Sequence, residues 1–278
     1  MFTTTSTYSL PEAVEQSTAS FKDIATTLAK VFASNEFTKS NYNAHRSMLK
    51  FLYSLEGEFG YPAFVRAAKL KYAPNTIVQL SISLKQLCKL AKIELNTAGV
   101  RVKSIITQAF HLNEKELDML RKHKYFDERQ QKCADIFILL SYTGCRFSDY
   151  TKIKYKDGEN VCSVTQTKTK TSVYLPIHDY AKKILKKYNG EMPVVSISFF
   201  DKWIKMSCVA AGIGDKAMKV SSHGGRRSFS TNLYERKVDP VTIMAVTGHK
   251  DVSSFLRYVR SSQVKHATMI NDVWRNKK

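Results

Sequence analysis

No apolar run in this chain approaches the roughly 18 residues that a bilayer-spanning helix needs. The start, Met1-Phe2-Thr3-Thr4-Thr5, lacks the basic residues and apolar stretch of a secretory signal. A membrane protein and a secreted one are therefore not expected, and the cytoplasm is the expected compartment. Cysteines are few: Cys88, Cys133, Cys145, Cys162 and Cys208 are scattered and odd in number, and no CxxC pair occurs. Neither a zinc site nor a disulfide framework is favoured, and a reducing interior is the natural setting. No cluster of carboxylates stands out as a magnesium site. Repeats and low-complexity tracts are absent as well. Acidic side chains are scarce, 24 against 44 Lys and Arg.

What is present is a core and a strong positive charge. The 278 residues suffice for one large domain or two ordinary ones, and a hydrophobic content of 43% excludes global disorder. The formal charge is +20. It is spread along the chain: residues 1–105 carry 13 basic and 7 acidic side chains, and residues 106–278 carry 31 and 17. A polyanionic partner follows, because neutralising phosphates releases counterions, and nucleic acid is the favoured one.

The first part reads as helices. Ser20 caps a stripe of Phe21, Ile24, Ala25, Leu28, Val31 and Phe32 at helical spacing. A second helix starts near Ser40, a third spans 62–70, and Pro74 starts a fourth. These make a small bundle. The stretch 94–112, with Arg101 and Lys103, has weaker periodicity and reads as a linker. Helices at 113–124 and 129–143 follow. Lys156-Asp157-Gly158 is a turn signal. Val161, Ser163 and Thr165 alternate with Cys162, Val164 and Gln166 as a strand, and Val173–Ile177 pairs with it, Pro176 at an edge. Helices resume at about 179–189, 197–211, 224–236, 240–246 and 251–260. The expected fold is mainly α with a small antiparallel β-sheet (α+β). Its parts are a helical domain over 1–105, linker included, and a second domain over 106–278.

Three short words carry candidate chemistry. Thr143-Gly144-Cys145-Arg146 breaks a long apolar helix and presents a guanidinium fork suited to two phosphate oxygens. Asp149, three residues on, can orient a neighbouring side chain. In His223-Gly224-Gly225-Arg226, the His and Arg share a helix face, and the glycines leave a bare first turn that a phosphate backbone can approach. Gly248-His249 closes a helix at a left-handed cap, and Tyr258 lies on the next helix. Lys168, in the turn between the strands, can protonate a leaving oxygen, and Lys170 competes for that role. Each has an ordinary explanation alone. Arg146 and Asp149 make a helix-end ion pair, His249 suits a helix C-terminus, Tyr258 packs with Phe255 and Val259, and Lys168 is solvated.

Together, in this order, these words resemble the tyrosine recombinase (phage integrase) family, over residues of about 110 to 262. The resemblance implies a core-binding domain over 1–105 and a catalytic DNA breaking-rejoining domain over 106–278, without an added arm-binding domain. It implies that Arg146 and Arg226 clamp the scissile phosphate and that His223 and His249 donate hydrogen bonds and assist proton transfer. Lys168 protonates the departing 5′ oxygen, Asp149 supports the site, and Tyr258 attacks to form a 3′-phosphotyrosine. No metal or other cofactor is required. Counting back from Tyr174-Leu175-Pro176 favours Lys168 over Lys170. Two positions depart from the family pattern: Cys145, where an aliphatic residue is frequent, and Arg227, where many relatives carry His. Protein cations beside a phenol favour its ionised form and stabilise charge developing on phosphoryl oxygens.

The expected activity is therefore site-specific DNA recombination: integration and excision, or resolution and inversion. The partner is double-stranded DNA, bound as a homotetramer, with an accessory directionality protein as an optional second partner. Val264, Met269, Ile270, Val273 and Trp274 supply apolar contacts for docking, on a neighbour or on their own domain. The rivals are a type IB topoisomerase or hairpin-forming resolvase with the same chemistry, and a non-enzymatic DNA-binding regulator on the same scaffold.

Overall fold

Ser20 opens the first helix by a reciprocal cap. Its hydroxyl oxygen accepts from the Asp23 N–H at 3.2 Å, and the Asp23 carboxylate accepts from the Ser20 N–H at 3.0 Å. This computed structural model describes residues 19–105, 110–156 and 158–259, with only the backbone of Arg257 and Tyr258. The chain divides into two compact units, Met1–Thr107 and Gln108–Lys278.

The first unit holds α1 (Phe21–Ala33), α2 (Lys39–Tyr53), α3 (Tyr61–Lys71) and α4 (Pro74–Leu90). Both α3 and α4 carry proline in the first turn, where the missing N–H has no intrahelical partner to lose. Their apolar faces meet in a core of Leu28, Met48, Leu52, Phe64, Leu84 and Leu87, all fully buried. The stretch 94–112, read as a linker, holds residues of both units. Ile93, Leu95, Val100 and Val102 pack against the first core. The Asn75 side chain exchanges two 2.9 Å hydrogen bonds with the backbone of Ile105. Leu112 belongs to the second core, its N–H donating to Ser228 Oγ at 2.9 Å. Irregular chain buries apolar side chains here without helical spacing, which is why periodicity does not show it.

The second unit is built on α6 (Glu128–Thr143), preceded by α5 (Glu114–Lys122). Residues from Cys133 to Ser141 of α6 are buried on every face, as expected of a helix in the interior of its domain. Strands β1 (Val161–Thr165) and β2 (Ser172–Pro176) pair antiparallel, from Val161↔Pro176 to Thr165↔Ser172. Cys162, Val164, Val173 and Leu175 face the core. The turn signal at 156–158 precedes β1, with the Glu159 N–H donating to the Lys156 carbonyl at 3.1 Å. Asp157 lies outside the described residues. The strands are joined through 166–171 instead. Helices α7 (Asp179–Lys187), α8 (Ile197–Ala210), α9 (Gly224–Glu235), α10 (Pro240–Thr247) and α11 (Val252–Val259) complete the unit. All five cysteines are free and buried, and burial pushes the thiols of Cys88, Cys133, Cys145 and Cys208 up to about 12 and that of Cys162 to about 11.

The glycine pair of α9 does not leave a bare approach for phosphate, as its sequence suggested. Gly224 and Gly225 are buried against α6. A Cβ on Gly225 would stand 2.7 Å from Leu140 Cβ and 3.1 Å from the Phe137 carbonyl oxygen. One on Gly224 would stand 3.1 Å from the Phe137 ring. The glycines are there so that two helices can approach closely, and that approach sets the position of Arg226 one residue later. Gly225→Ala is expected to destabilise the protein by about 1–3 kcal/mol through overpacking. A lowered midpoint in chemical denaturation is the readout, and an unchanged midpoint would contradict this account.

Candidate active site

Arg226 is the centre of the arrangement. It is only 5% exposed. Its Nη1 donates to the Gly144 carbonyl at 2.9 Å, and its Nη2 donates to the Thr247 carbonyl. Gly144 caps α6 in the left-handed conformation, and Thr247 is the last residue of α10. Both carbonyls thus sit at the negative ends of helix dipoles. They satisfy N–H groups without cancelling the guanidinium charge.

Arg146 lies on the turn after α6. Its Nη2 donates to the Gly248 carbonyl at 3.3 Å. Its Nη1 is buried, with no hydrogen-bond partner among the described residues. No carboxylate among the described residues pairs with it. The ordinary Arg146–Asp149 ion pair is not formed, because Asp149 turns to the hairpin instead. A buried N–H left without an acceptor costs about 1–3 kcal/mol, a penalty that an incoming anion would relieve.

The histidines lie within electrostatic reach of these cations. His249 follows the left-handed cap Gly248 (φ 66°). Its N–H donates to the Met244 carbonyl at 3.2 Å, and its ring packs edge-on to Phe255, centroids 5.6 Å apart. Burial first, then Arg226 and Arg146, pull its pKa down to about 4, against a weaker opposing pull from Asp251. His223 occupies the N-cap position of α9, without a capping bond from its side chain, and is exposed. Desolvation by surrounding protein, then Arg227, Arg226 and Lys168, lower its pKa, with Asp201 opposing. Both shifts favour the neutral imidazole. Lys168 is exposed on the hairpin turn, yet its charge reaches His223. Lys170 is exposed too, with a left-handed backbone (φ 56°).

Asp149 anchors that hairpin. It is fully buried, and its Oδ1 accepts from the Thr167 N–H at 2.9 Å and from the Thr167 hydroxyl. Lys152 Nζ lies 3.4 Å from the same oxygen and donates to Thr167 Oγ at 2.7 Å. Burial raises the carboxyl pKa, but the bonds from Thr167 and the Lys152 charge outweigh it, so the net shift is downward. The carboxylate therefore contributes stability that is complete above the ordinary carboxylate range. That contribution is lost as pH falls through the depressed folded value. Asp149→Asn is expected to flatten the acid limb of a stability–pH profile and to lower stability at pH 7. An acid limb as steep as wild type in the variant would show that Asp149 is not the linked group.

Arg146, Arg226, His223, His249 and Lys168 are thus brought into one electrostatic neighbourhood, with Asp149 beneath the hairpin. Tyr258 lies on α11, and its side chain is outside the described residues. So are the C-terminal apolar residues Val264, Met269, Ile270, Val273 and Trp274. Three residues to which the sequence reading gave no functional role hold the parts together. Thr167 joins the hairpin to Asp149. Gln166 Nε2 donates to the Thr247 carbonyl at 3.2 Å, and its Oε1 accepts from the Thr169 hydroxyl at 2.8 Å. Thr247 meets Arg226, Gln166 and His249. Gln166 is the one with a signal, a polar residue on the buried face of a strand pattern. Among the described residues, no group of three or more His, Cys, Asp or Glu side chains is placed to hold a metal ion, and no helix is long and apolar enough to cross a membrane.

The family model described as "Phage integrase family" matches residues 110–265. No curated protein matches the chain by sequence. Among solved structures, a lambda integrase dimer bound to a COC′ core site shares 15% identity and a TM-score of 0.70, over 88% of this chain and 97% of that one. A lambda integrase tetramer bound to a Holliday junction shares 15% identity at TM-score 0.68, over 89% and 80%. XerH site-specific recombinase bound to difH substrate shares 15% identity at TM-score 0.62, over 92% and 98%. At these identities the likeness is one of fold.

Proposed function

Because this chain belongs to the phage integrase family, a site-specific tyrosine recombinase, we propose that it cuts and rejoins duplex DNA through a 3′-phosphotyrosine on Tyr258. The observation that supports the reading is Arg146 Nη1, buried and without an acceptor among the described residues, with Arg146 and Arg226 bonded to the adjacent carbonyls of Gly248 and Thr247. A phosphodiester oxygen is the acceptor that such a pair suits. Two guanidinium groups meet the negative charge that grows on the phosphoryl oxygens during attack.

The phenol oxygen bonds phosphorus, the bond to the 5′ oxygen breaks, and Lys168 supplies the proton that oxygen needs. The reach of Lys168 to His223 supports it over Lys170. His223 and His249 flank the phosphate and handle protons. The phosphate's negative charge opposes that of the arginines, so their pKa values rise on binding. Asp149 holds the hairpin at its working position. The covalent bond conserves the phosphodiester's energy, so rejoining needs neither metal nor nucleotide.

In the same reading the domain 1–105 holds DNA and the domain 106–278 performs the chemistry, within the cytoplasm. Four protomers act on two sites, with an accessory directionality protein setting direction. The segment carrying Met269, Ile270 and Trp274 docks on a neighbour or on its own domain. A cavity of about 760 Å³ on the catalytic unit is lined by apolar side chains, Tyr142, Phe229, Leu233 and Val246 among them, and by charged ones such as Glu114, Asp118 and Arg236.

The test is a nicked duplex bearing the DNA that flanks the gene, incubated with protein and then denatured. A protein–DNA adduct joined at a 3′ phosphate is expected. Relaxation of plasmid lacking any such sequence would point to a topoisomerase, and DNA binding without any adduct would point to a regulator.

A further inference from the structure

Lys168 stands on the turn that joins β1 to β2, between two threonines that are both tied down. Thr167 gives its N–H, at 2.9 Å, and its hydroxyl to the buried Asp149 carboxylate. Thr169 gives its hydroxyl to Gln166 Oε1 at 2.8 Å. Gln166 also closes the turn through its backbone. Its N–H donates to the Thr171 carbonyl at 3.0 Å, and its own carbonyl accepts from the Lys170 N–H at 3.0 Å. The side chain then reaches out of the hairpin. Gln166 is 2% exposed, and its Nε2 donates to the Thr247 carbonyl at 3.2 Å. A carbonyl can only accept, so the amide nitrogen must face Thr247 and the amide oxygen is left for Thr169.

We propose that Gln166 is a positioning residue for proton delivery by Lys168, its amide tying the Lys168 turn to the carbonyl that also holds Arg226. Arg226 Nη2 donates to that same Thr247 carbonyl, and Arg146 Nη2 donates to the next one, of Gly248. The general acid and the two phosphate-binding cations thus share one anchor. The inference rests on the recombinase reading for the proton that Lys168 gives. In that step the bond from phosphorus to the 5′ oxygen breaks, its electron pair goes to the oxygen, and one proton passes there from the Lys168 ammonium. The neutral amine regains a proton from water. Such a transfer depends on where the donor stands, and a displacement of about 1 Å can cost on the order of 100-fold.

Asp149 and Gln166 divide the work. Asp149 fixes the residue before Lys168, and Gln166 fixes the residue after it. Held from one side only, the turn could swing about Thr167. The amide lies close against the turn after α10, since a Cβ on Gly248 would meet it at 2.8 Å. Glutamine also suits the joint electrically. It offers a donor and an acceptor without a charge. A carboxylate at this place would compete with the DNA phosphate for Arg226.

The experiment measures adduct formation by the full-length protein on two nicked duplexes bearing the DNA that flanks the gene. One has the natural 5′ oxygen at the scissile phosphate, placed by mapping the adduct, and the other has sulfur there. A thiol ionises near pH ~8.5, so sulfur departs as thiolate without a proton from Lys168. On the oxygen duplex, Lys168→Ala should be slower than wild type by about 100-fold or more. Gln166→Met and Thr169→Val should be slower by roughly tenfold, through misplacement of the donor. Thr169→Ser should stay near wild type. On the sulfur duplex all four variants should come close to the wild-type rate. A loss of equal size on both duplexes would reveal a general structural defect and overturn the role of Gln166, as would an unchanged rate on oxygen. Should Gln166→Met not fold, the two Thr169 variants decide, since Thr169 is only partly buried. If Lys168→Ala is not slowed on oxygen, or is not rescued by sulfur, the assignment of Lys168 fails and the role of Gln166 falls with it. Wild type without adduct on either duplex would sink the recombinase reading as a whole.

Discussion

Replacing Tyr258 by Phe should abolish covalent adduct while leaving DNA binding intact. The substitution removes one oxygen from α11 and nothing else. Without that oxygen the proposed reaction loses the group that displaces the 5′ oxygen from phosphorus. The loss should therefore be complete within detection, not a matter of degree, since nucleophilic catalysis needs its nucleophile. Binding is carried by the cations, which the change leaves in place. Two measurements check this: gel mobility of the variant with duplex DNA, and denaturing electrophoresis after incubation with a nicked duplex. A retained adduct would move the nucleophile elsewhere. Lost binding would mean that Tyr258 has a structural role in the helix.

Arg146→Ala and Arg226→Ala should both lose adduct formation, by at least about 100-fold, the effect of removing one preorganised donor to a developing oxyanion. They should differ in stability. Arg226 joins the Gly144 carbonyl of the α6 cap to the Thr247 carbonyl that ends α10. Removing it strands the buried Gly144 carbonyl, which costs about 1–3 kcal/mol, while the Thr247 carbonyl keeps its bond from Gln166. Among the described residues, Arg146 gives a long bond to Gly248 and keeps a buried N–H without an acceptor. Its removal should leave the melting temperature near or slightly above wild type. Thermal denaturation of the pair separates the roles. Equal destabilisation would show that Arg146 too is a structural strut.

Most elements of this fold announce themselves locally. Ser20, Pro74 and the caps at Gly144 and Gly248 act within three or four residues of chain, so their helices can be placed from sequence. The order of Arg146, His223, Arg226 and His249 is legible for the same reason: each stands in a short word. The joints between the words are not. Asp149 holds Thr167 across 18 residues, Gln166 reaches Thr247 across 81, and Arg226 reaches Gly144 across 82. No periodicity encodes such bonds. The glycine pair shows the same limit. Sequence says that something needs the space at Gly224 and Gly225, but only the packed structure identifies it as helix α6 and not a ligand.

The protonated, buried thiols have a practical corollary. A thiol this far above neutrality and out of solvent offers almost no thiolate to an electrophile. Maleimide or iodoacetamide should pass over all five native positions in the folded protein. A single cysteine introduced on an exposed surface would then be the sole attachment point for a fluorophore or spin label. Distances during synapsis and strand exchange could be followed without first building a cysteine-free background.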